Sequence, residues 1–471
     1  MGVKSARNQE FCIKTLQIML NKRQSEQQLS FYGTFEEQLN HQHPLYILSN
    51  QIDWLIFENT FSKHYSVDMG APAKPIRLMV GLLILKHIRN LSDESIVEQW
   101  SENAYYQYFC GEKAFASGQP CVAPELVEFR KRIGKEGIEL IFKESIRING
   151  KDGQEQEATT DTTVQEKNIT FPTDAKLHKK IIKKCVGLAN REGIALRQSY
   201  TRTVKKLSLD QRFRNHPKNK GKAIKADKKI KTIAGRLVRE LDRNLSAGHF
   251  FRKKLELFEK VLSQKKEDKQ KIYSLHEPHV QCIAKGKEHK KYEFGSKVSI
   301  MTTKNSGVII GAINIEKNDY DGHTLQPAIE QQQRLTGITI KNNFVDRGYK
   351  GVKEVLGTKI IIPQYKASDT DYQKQKMRKG FRRRAGIEPK IGHLKQDHRL
   401  SRNYYAGIFG DNINIMLAAA AMNFKRMMNK WKENPPFFIF GLKIRWLNLI
   451  AYLAPNSQNY SLNIVNGLFE G

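Results

Sequence analysis

The feature that most restricts what this chain can fold into is a lysine-rich block set inside a strand-forming sequence. From Phe171 to Gln270 there are 29 Lys or Arg against 10 Asp or Glu, the patterning is helical, and β-branched runs are few. Sequence on either side reads as strands. A sheet built from this chain must therefore be interrupted by a basic helical segment. That block supplies a net +19 of the chain's +32. So large a positive excess says little about fold but points to a polyanionic partner, nucleic acid first. Anionic membrane is the weaker rival because no lipidation signal is present. A solvated lysine surface is the plain reading of the block, and its charge density favours a face that tracks phosphates.

The rest of the chain divides around that block. Its 471 residues, 39% of them hydrophobic, are enough for two or three domains. Residues 1–148 are expected to form an N-terminal all-helical domain with a DNA-binding role. Ile52, Trp54, Leu55, Phe57 and Phe61 are its candidate core anchors. Pro72 and Pro75 precede an apolar helix over Ile76–Ile88, and Ser92 can cap the next helix, with Asp93 and Glu94 in its first turn. Two helices joined so closely make either an ordinary core hairpin or a DNA-reading helix-turn-helix. Tyr105, Tyr106, Tyr108 and Phe109 are packing aromatics, with base stacking the alternative. An amphipathic helix centred on Phe129–Arg132 closes the region.

Asn149–Gly153 is a turn cluster and a domain boundary. Ala158–Val164 is then a strand, interrupted by Asp161. Residues 174–278 form the basic insertion. Strand character returns from His279. Phe294–Thr302 and Val308–Ile315 flank Lys304–Gly307 as a hairpin, Thr324–Leu335 is helical, Ile338–Val345 runs into Asp346, and Thr358–Pro363 is one more short strand. This order predicts a mixed α/β sheet over 149–173 and 279–430, covered by a helix across Ile413–Met428. Residues 431–471 form a basic, aromatic tail. Its apolar stretch Phe437–Leu453 is broken by Lys443, Arg445 and Asn448 and so reads as packed rather than membrane-spanning. Five scattered cysteines (Cys12, Cys110, Cys121, Cys185, Cys282) show no metal-like grouping, and no signal peptide precedes them. Reduced thiols and a nucleic-acid partner are what a cytoplasmic protein is expected to show.

Near the end of the core, Glu388 lies within a run of cations, with Arg384 four residues before it and Lys395 seven after. In one helix these share a face with Phe381. Alone they make either an ion-pair ladder or a metal-holding carboxylate beside phosphate-binding cations. Pro389 disfavours the α conformation at Glu388, so the helix is kinked there or begins there. Asp161 and Asp346 are expected at strand ends of one sheet, where Glu388 can join them. Three carboxylates without a histidine pair suit Mg²⁺ or Mn²⁺. Two such ions support in-line displacement at phosphorus. Arg384 and Lys395 would then contact phosphate.

Four segments carry a resemblance: Thr160–Pro172 around Asp161, Asp321-Gly-His323-Thr-Leu325, Asp346-Arg-Gly-Tyr349, and Phe381, Arg384, Glu388 and Lys395 at Tyr-x2-Arg-x3-Glu-x6-Lys spacing. Together with Pro72–Lys86 and Asn90–Glu94 they resemble bacterial insertion-sequence DDE transposases of the insertion-sequence-five group. The resemblance spans residues 40–430. It implies an RNase H-like core with an insertion between the first two acids, and cutting of element ends with joining to new double-stranded DNA, by a homodimer bridging two ends. It assigns Asp161, Asp346 and Glu388 as catalytic metal ligands and Arg384 and Lys395 as DNA contacts. Phe381 departs from the Tyr of the signature and is left out of the site. His323 and His393 are expected to be core histidines. Two other readings are an inactive DNA-binding remnant of a mobile element and a nuclease acting on RNA.

Overall fold

A computed structural model describes residues 33–66, 72–246, 248–284, 290–364 and 368–433. The tail beyond 433, including Phe437–Leu453, and Cys12 lie outside the described residues.

Seven helices open the described chain: α1 (Phe35–Gln38), α2 (Pro44–Gln51), α3 (Trp54–Phe61), α4 (Ile76–Ile88), α5 (Asp93–Glu102), α6 (Ala104–Phe109) and α7 (Ala123–Ile148). Every residue of α4 except Arg77 is buried, as an all-round apolar helix requires. Ser92 caps α5 by accepting from the Ser95 N–H. The buried face of α5 is Ile96, Val97 and Trp100, and its exposed residues include Glu94, Glu98 and Glu102. An acidic outer stripe repels phosphate, so α4 and α5 read as a core hairpin. Asp93 receives Lys86 at 2.8 Å and a two-pronged Arg130 at 2.8 and 2.7 Å. Burial alone would raise the Asp93 carboxyl, but Arg130 and Lys86 hold it near 2. Tyr106, Tyr108 and Phe109 are buried on α6, as packing aromatics.

Among the described residues eight strands form one sheet: β1 (Glu157–Lys167), β2 (Gln281–Ala284), β3 (Tyr292–Thr303), β4 (Ile309–Ile315), β5 (Asn342–Phe344), β6 (Glu354–Val355), β7 (Thr358–Ile361) and β8 (Arg402–Asn403). β1 is central. Antiparallel β3 covers one edge of it from Ala158 to Glu166. On its other edge parallel β5 pairs only with Glu157–Thr159, and β8 only with Glu166 and Lys167. Asp161 lies between these two short pairings, where the edge carries no ladder. It is therefore a mid-strand residue and not, as its sequence context suggests, the end of a strand. The helices α12 (Leu325–Thr336) and α15 (Gly407–Glu433) pack on β4, and α15 also packs on α4 and α7. One hydrophobic core runs from Leu45 on α2 through Ala158 and Ile300 to Met428 on α15.

Between β1 and β2 stand α8 (Asp174–Arg191), α9 (Thr201–Asp210), α10 (Pro217–Asn244) and α11 (Arg252–Ser263). α10 buries Ala223, Ala226, Ile230, Ile233, Ala234 and Leu237 along one stripe, the i, i+3, i+4 pattern of a packed helix. These four helices close over a second core of their own. The two ends of the segment meet: Lys271 reaches Asp174 at 3.9 Å. Just outside it, buried Lys167 reaches Asp411 at 2.6 Å and Glu277 at 3.5 Å, and His279 reaches Asp411 at 3.1 Å.

Candidate functional site

Helix α13 (Asp371–Arg384) and α14 (Ile387–Asp397) are the two halves of the cation-rich stretch. Thr370 caps α13 in a reciprocal box with Gln373. Ala385 and Gly386 separate the two helices, and Glu388 sits in the first turn of α14 just before Pro389. Pro389 thus belongs to a helix start, where a missing N–H costs nothing. Phe381 packs edge-on against Phe344 of β5, ring centroids 5.8 Å apart. That contact anchors α13 at the end of β5 and brings Arg384 to the open edge of β1.

Arg384 joins the three acids. Its Nη2 donates to Asp161 Oδ2 at 3.2 Å and lies 3.8 Å from Asp346 Oδ2, while Nη1 is 3.7 Å from Glu388 Oε1. Each aspartate is pinned by backbone through its other oxygen. Asp161 Oδ1 accepts from the Thr162 N–H at 2.8 Å. Asp346 Oδ1 accepts from the Gly348 N–H at 2.8 Å, which caps the short 3₁₀ turn Arg347–Tyr349. Burial pushes the Asp161 carboxyl up from the ordinary carboxylate range, with Arg384 pulling it back down. The three differ in freedom: the Asp161 side chain is 16% exposed, Asp346 40% and Glu388 67%. Lys395 stands seven residues along α14 from Glu388 and is half-buried.

A fourth carboxylate, which the spacing of the acids did not reveal, lies beside them. Asp321 opens a 3₁₀ turn (Asp321–Thr324) and accepts from Thr162 Oγ1 at 3.1 Å and from Lys297 Nζ at 2.9 Å. Its only signal in sequence is the Asp321-Gly-His323 string. Tyr349, fully buried, faces Asp321, Asp161 and Asp346, and burial first and these charges second push its hydroxyl well up. His323 and His393 correct the expectation of core histidines. Both are exposed, His323 edge-on to Tyr320 and His393 paired with Asp397 at 2.8 Å.

The donor set fits a hard divalent cation in kind, being all carboxylate oxygen. Among the described residues no group of three or more His, Cys, Asp or Glu is arranged to hold a metal ion. The three acids converge instead on the Arg384 guanidinium, at 3.2–3.8 Å. Among the described residues no helix is long and apolar enough to cross a membrane.

Residues 33–132 match the Transposase domain (DUF772), and residues 350–428 match the Transposase DDE domain. Glu388, Arg384 and Lys395 fall inside the second match, and both aspartates fall outside the two. A Rhizobium meliloti protein described as uncharacterized protein ORF8 in the nfe locus is 40% identical over 183 residues, covering 38% of this chain and 88% of that protein. No solved structure matches.

Proposed function

The chain belongs to the DDE transposases of insertion sequences, and we propose that it cuts the ends of such an element and joins them to new DNA at Asp161, Asp346 and Glu388. The observation that carries this reading is the gathering of three acids, far apart in sequence, around one guanidinium at the unpaired edge of β1. A plain surface ladder would leave Arg384 and Glu388 alone on their helices. Asp161, Asp346 and Glu388 would hold Mg²⁺ or Mn²⁺, which would supply activation of the attacking hydroxyl and stabilisation of the leaving oxygen.

The protein's part is to hold the donors. Backbone N–H groups fix Asp161 and Asp346, and the first turn of α14 presents Glu388 with the most freedom of the three. Arg384, at the end of α13, offers a planar fork suited to phosphate, and Lys395 on α14 a point charge. Both are proposed DNA contacts. The placement of β1 between antiparallel β3 and parallel β5 supports an RNase H-like core, interrupted by the helices of 174–278. Exposed lysines on α10, among them Lys225, Lys228 and Lys229, support a DNA-tracking surface there.

The test is cleavage of DNA carrying the element's terminal repeats, with and without MgCl₂. Asp161→Ala, Asp346→Ala and Glu388→Ala should each abolish Mg²⁺-dependent cleavage while retaining the DNA complex in a band-shift assay. Undiminished cleavage by all three variants would sink the assignment. An inactive DNA-binding remnant predicts no cleavage by the wild type, and an RNA nuclease predicts no need for the repeats.

A further inference from the structure

Asp321 touches both halves of the acid group. Its Oδ1 takes the Thr162 hydroxyl at 3.1 Å and the Lys297 ammonium at 2.9 Å. Thr162 is the residue after Asp161 on β1, and Lys297 lies on β3 opposite Val164. The other oxygen, Oδ2, faces the turn that holds Asp346. A Cβ added at Gly348 would stand 3.2 Å from Asp321 Oδ2 and 2.9 Å from Asp346 Oδ1. The two carboxylates thus close on the same point of backbone, where any side chain would press on both. Lys297, only 12% exposed, neutralises the charge, so Asp321 is a built-in part of the site wall and not a solvated surface acid.

We infer that Asp321 is a positioning residue for the metal-binding acids: by gripping Thr162 and seating against Gly348 it sets the spacing between Asp161 and Asp346. It acts through them, as an outer carboxylate that orients ligands does. The inference rests on the metal reading proposed above.

Mn²⁺ binding to the full-length chain without DNA, followed by electron paramagnetic resonance, separates the two. Asp321→Ala should weaken Mn²⁺ binding by about tenfold or more, the usual effect of losing an outer-shell partner. Asp321→Asn keeps an oxygen that can accept from Thr162 and Lys297 and should bind Mn²⁺ close to wild type. Thr162→Val removes only the hydroxyl from a β-branched strand residue. It should weaken binding in the same direction with an unchanged circular-dichroism spectrum, and it carries the test if Asp321→Ala does not fold. Asp161→Ala is the control for the metal reading. Loss in Asp161→Ala with wild-type binding in Thr162→Val overturns the positioning role and spares the metal reading. Retained binding in Asp161→Ala overturns the metal reading itself. A loss in Asp321→Asn equal to that in Asp321→Ala also overturns the positioning role, because it makes Asp321 a direct ligand.

Discussion

Arg384 is the residue on which the geometry of the site turns. Three carboxylates brought to one sheet edge repel one another, and like charges in a shared site are costly without a counter-cation. Here the guanidinium, 15% exposed, supplies it for all three. Its Nε is buried without a hydrogen-bond partner, and its Nη2 donates to Asp161 while the other two acids lie at ion-pair distance. Arg384→Ala should cost about 1.5–3 kcal/mol of stability in metal-free buffer, the range for hydrogen bonds to charged groups. Because a ligand that binds only the folded chain stabilises it, MgCl₂ should raise the melting temperature of Arg384→Ala by more than it raises that of the wild type. Equal shifts in a paired thermal scan would mean that the arginine and the cation do not share the acids. The residues of this centre were readable unevenly. Arg384 and Glu388 show in sequence because i, i+4 spacing survives even a break between two helices, here as a 3.7 Å contact. Asp321 does not show, because a single acid in a turn has no periodicity to betray it and its partners Thr162 and Lys297 lie on two distant strands.

At the scale of elements, the β3–β4 hairpin and its neighbour α14 show what local sequence can and cannot specify. Lys304–Gly307 is a turn in sequence and in structure, with Gly307 at φ +68. The sequence does not say what covers the turn. Lys390 of α14 does, donating to the Gly307 carbonyl at 2.5 Å. Burial lowers the Lys390 ammonium to about 8, with Arg426 adding to the shift. The unfolded chain holds that proton to about 10.4. Between those values the unfolded state binds more protons, so stability contributed by this site rises with pH. The burial penalty is in full force below pH 8 and is relieved towards pH 10. Measured by denaturant unfolding, wild-type stability relative to Lys390→Met should therefore climb by on the order of 1–3 kcal/mol from pH 7.5 to 10. A difference that stays flat would place the ammonium in water. The short strand β5 was less legible than the hairpin. Ile338–Val345 is rich in β-branched residues, yet only Asn342–Phe344 pairs, because in the parallel register its first residues fall ahead of Glu157, where β1 has not begun. Asp161 moved from an expected strand end to mid-strand because β3 pairs with β1 as far as Glu166.

The described residues form two hydrophobic cores whose boundary does not follow the order of the chain. Helices α2–α7 share one core with the sheet and α15, while α8–α11 enclose another. The helical segment between β1 and β2 was legible because composition changes abruptly at its borders. The shared core was not, because which apolar helix faces which strand is decided by long-range packing. This arrangement makes two deletions behave differently. Replacing residues 174–275 with a short Gly/Ser linker removes most of a separate core at a place where the chain ends already meet, through Lys271 and Asp174. The clamp of Lys167, Glu277, His279 and Asp411 stays behind to hold β1 and α15 together. That variant should keep a cooperative unfolding transition. A fragment starting at residue 149 loses α4 and α7, both packed on α15, and should lose that transition. If the exposed lysines of α10 track phosphates, the insertion deletion should also flatten the dependence of DNA affinity on salt, by about 0.9 in log–log slope for each phosphate that the insertion neutralises. Fluorescence anisotropy across a salt series reads this directly. An unchanged slope in a folded deletion variant would leave those lysines as a solvated surface and return the DNA-binding role to the face that carries Arg384 and Lys395.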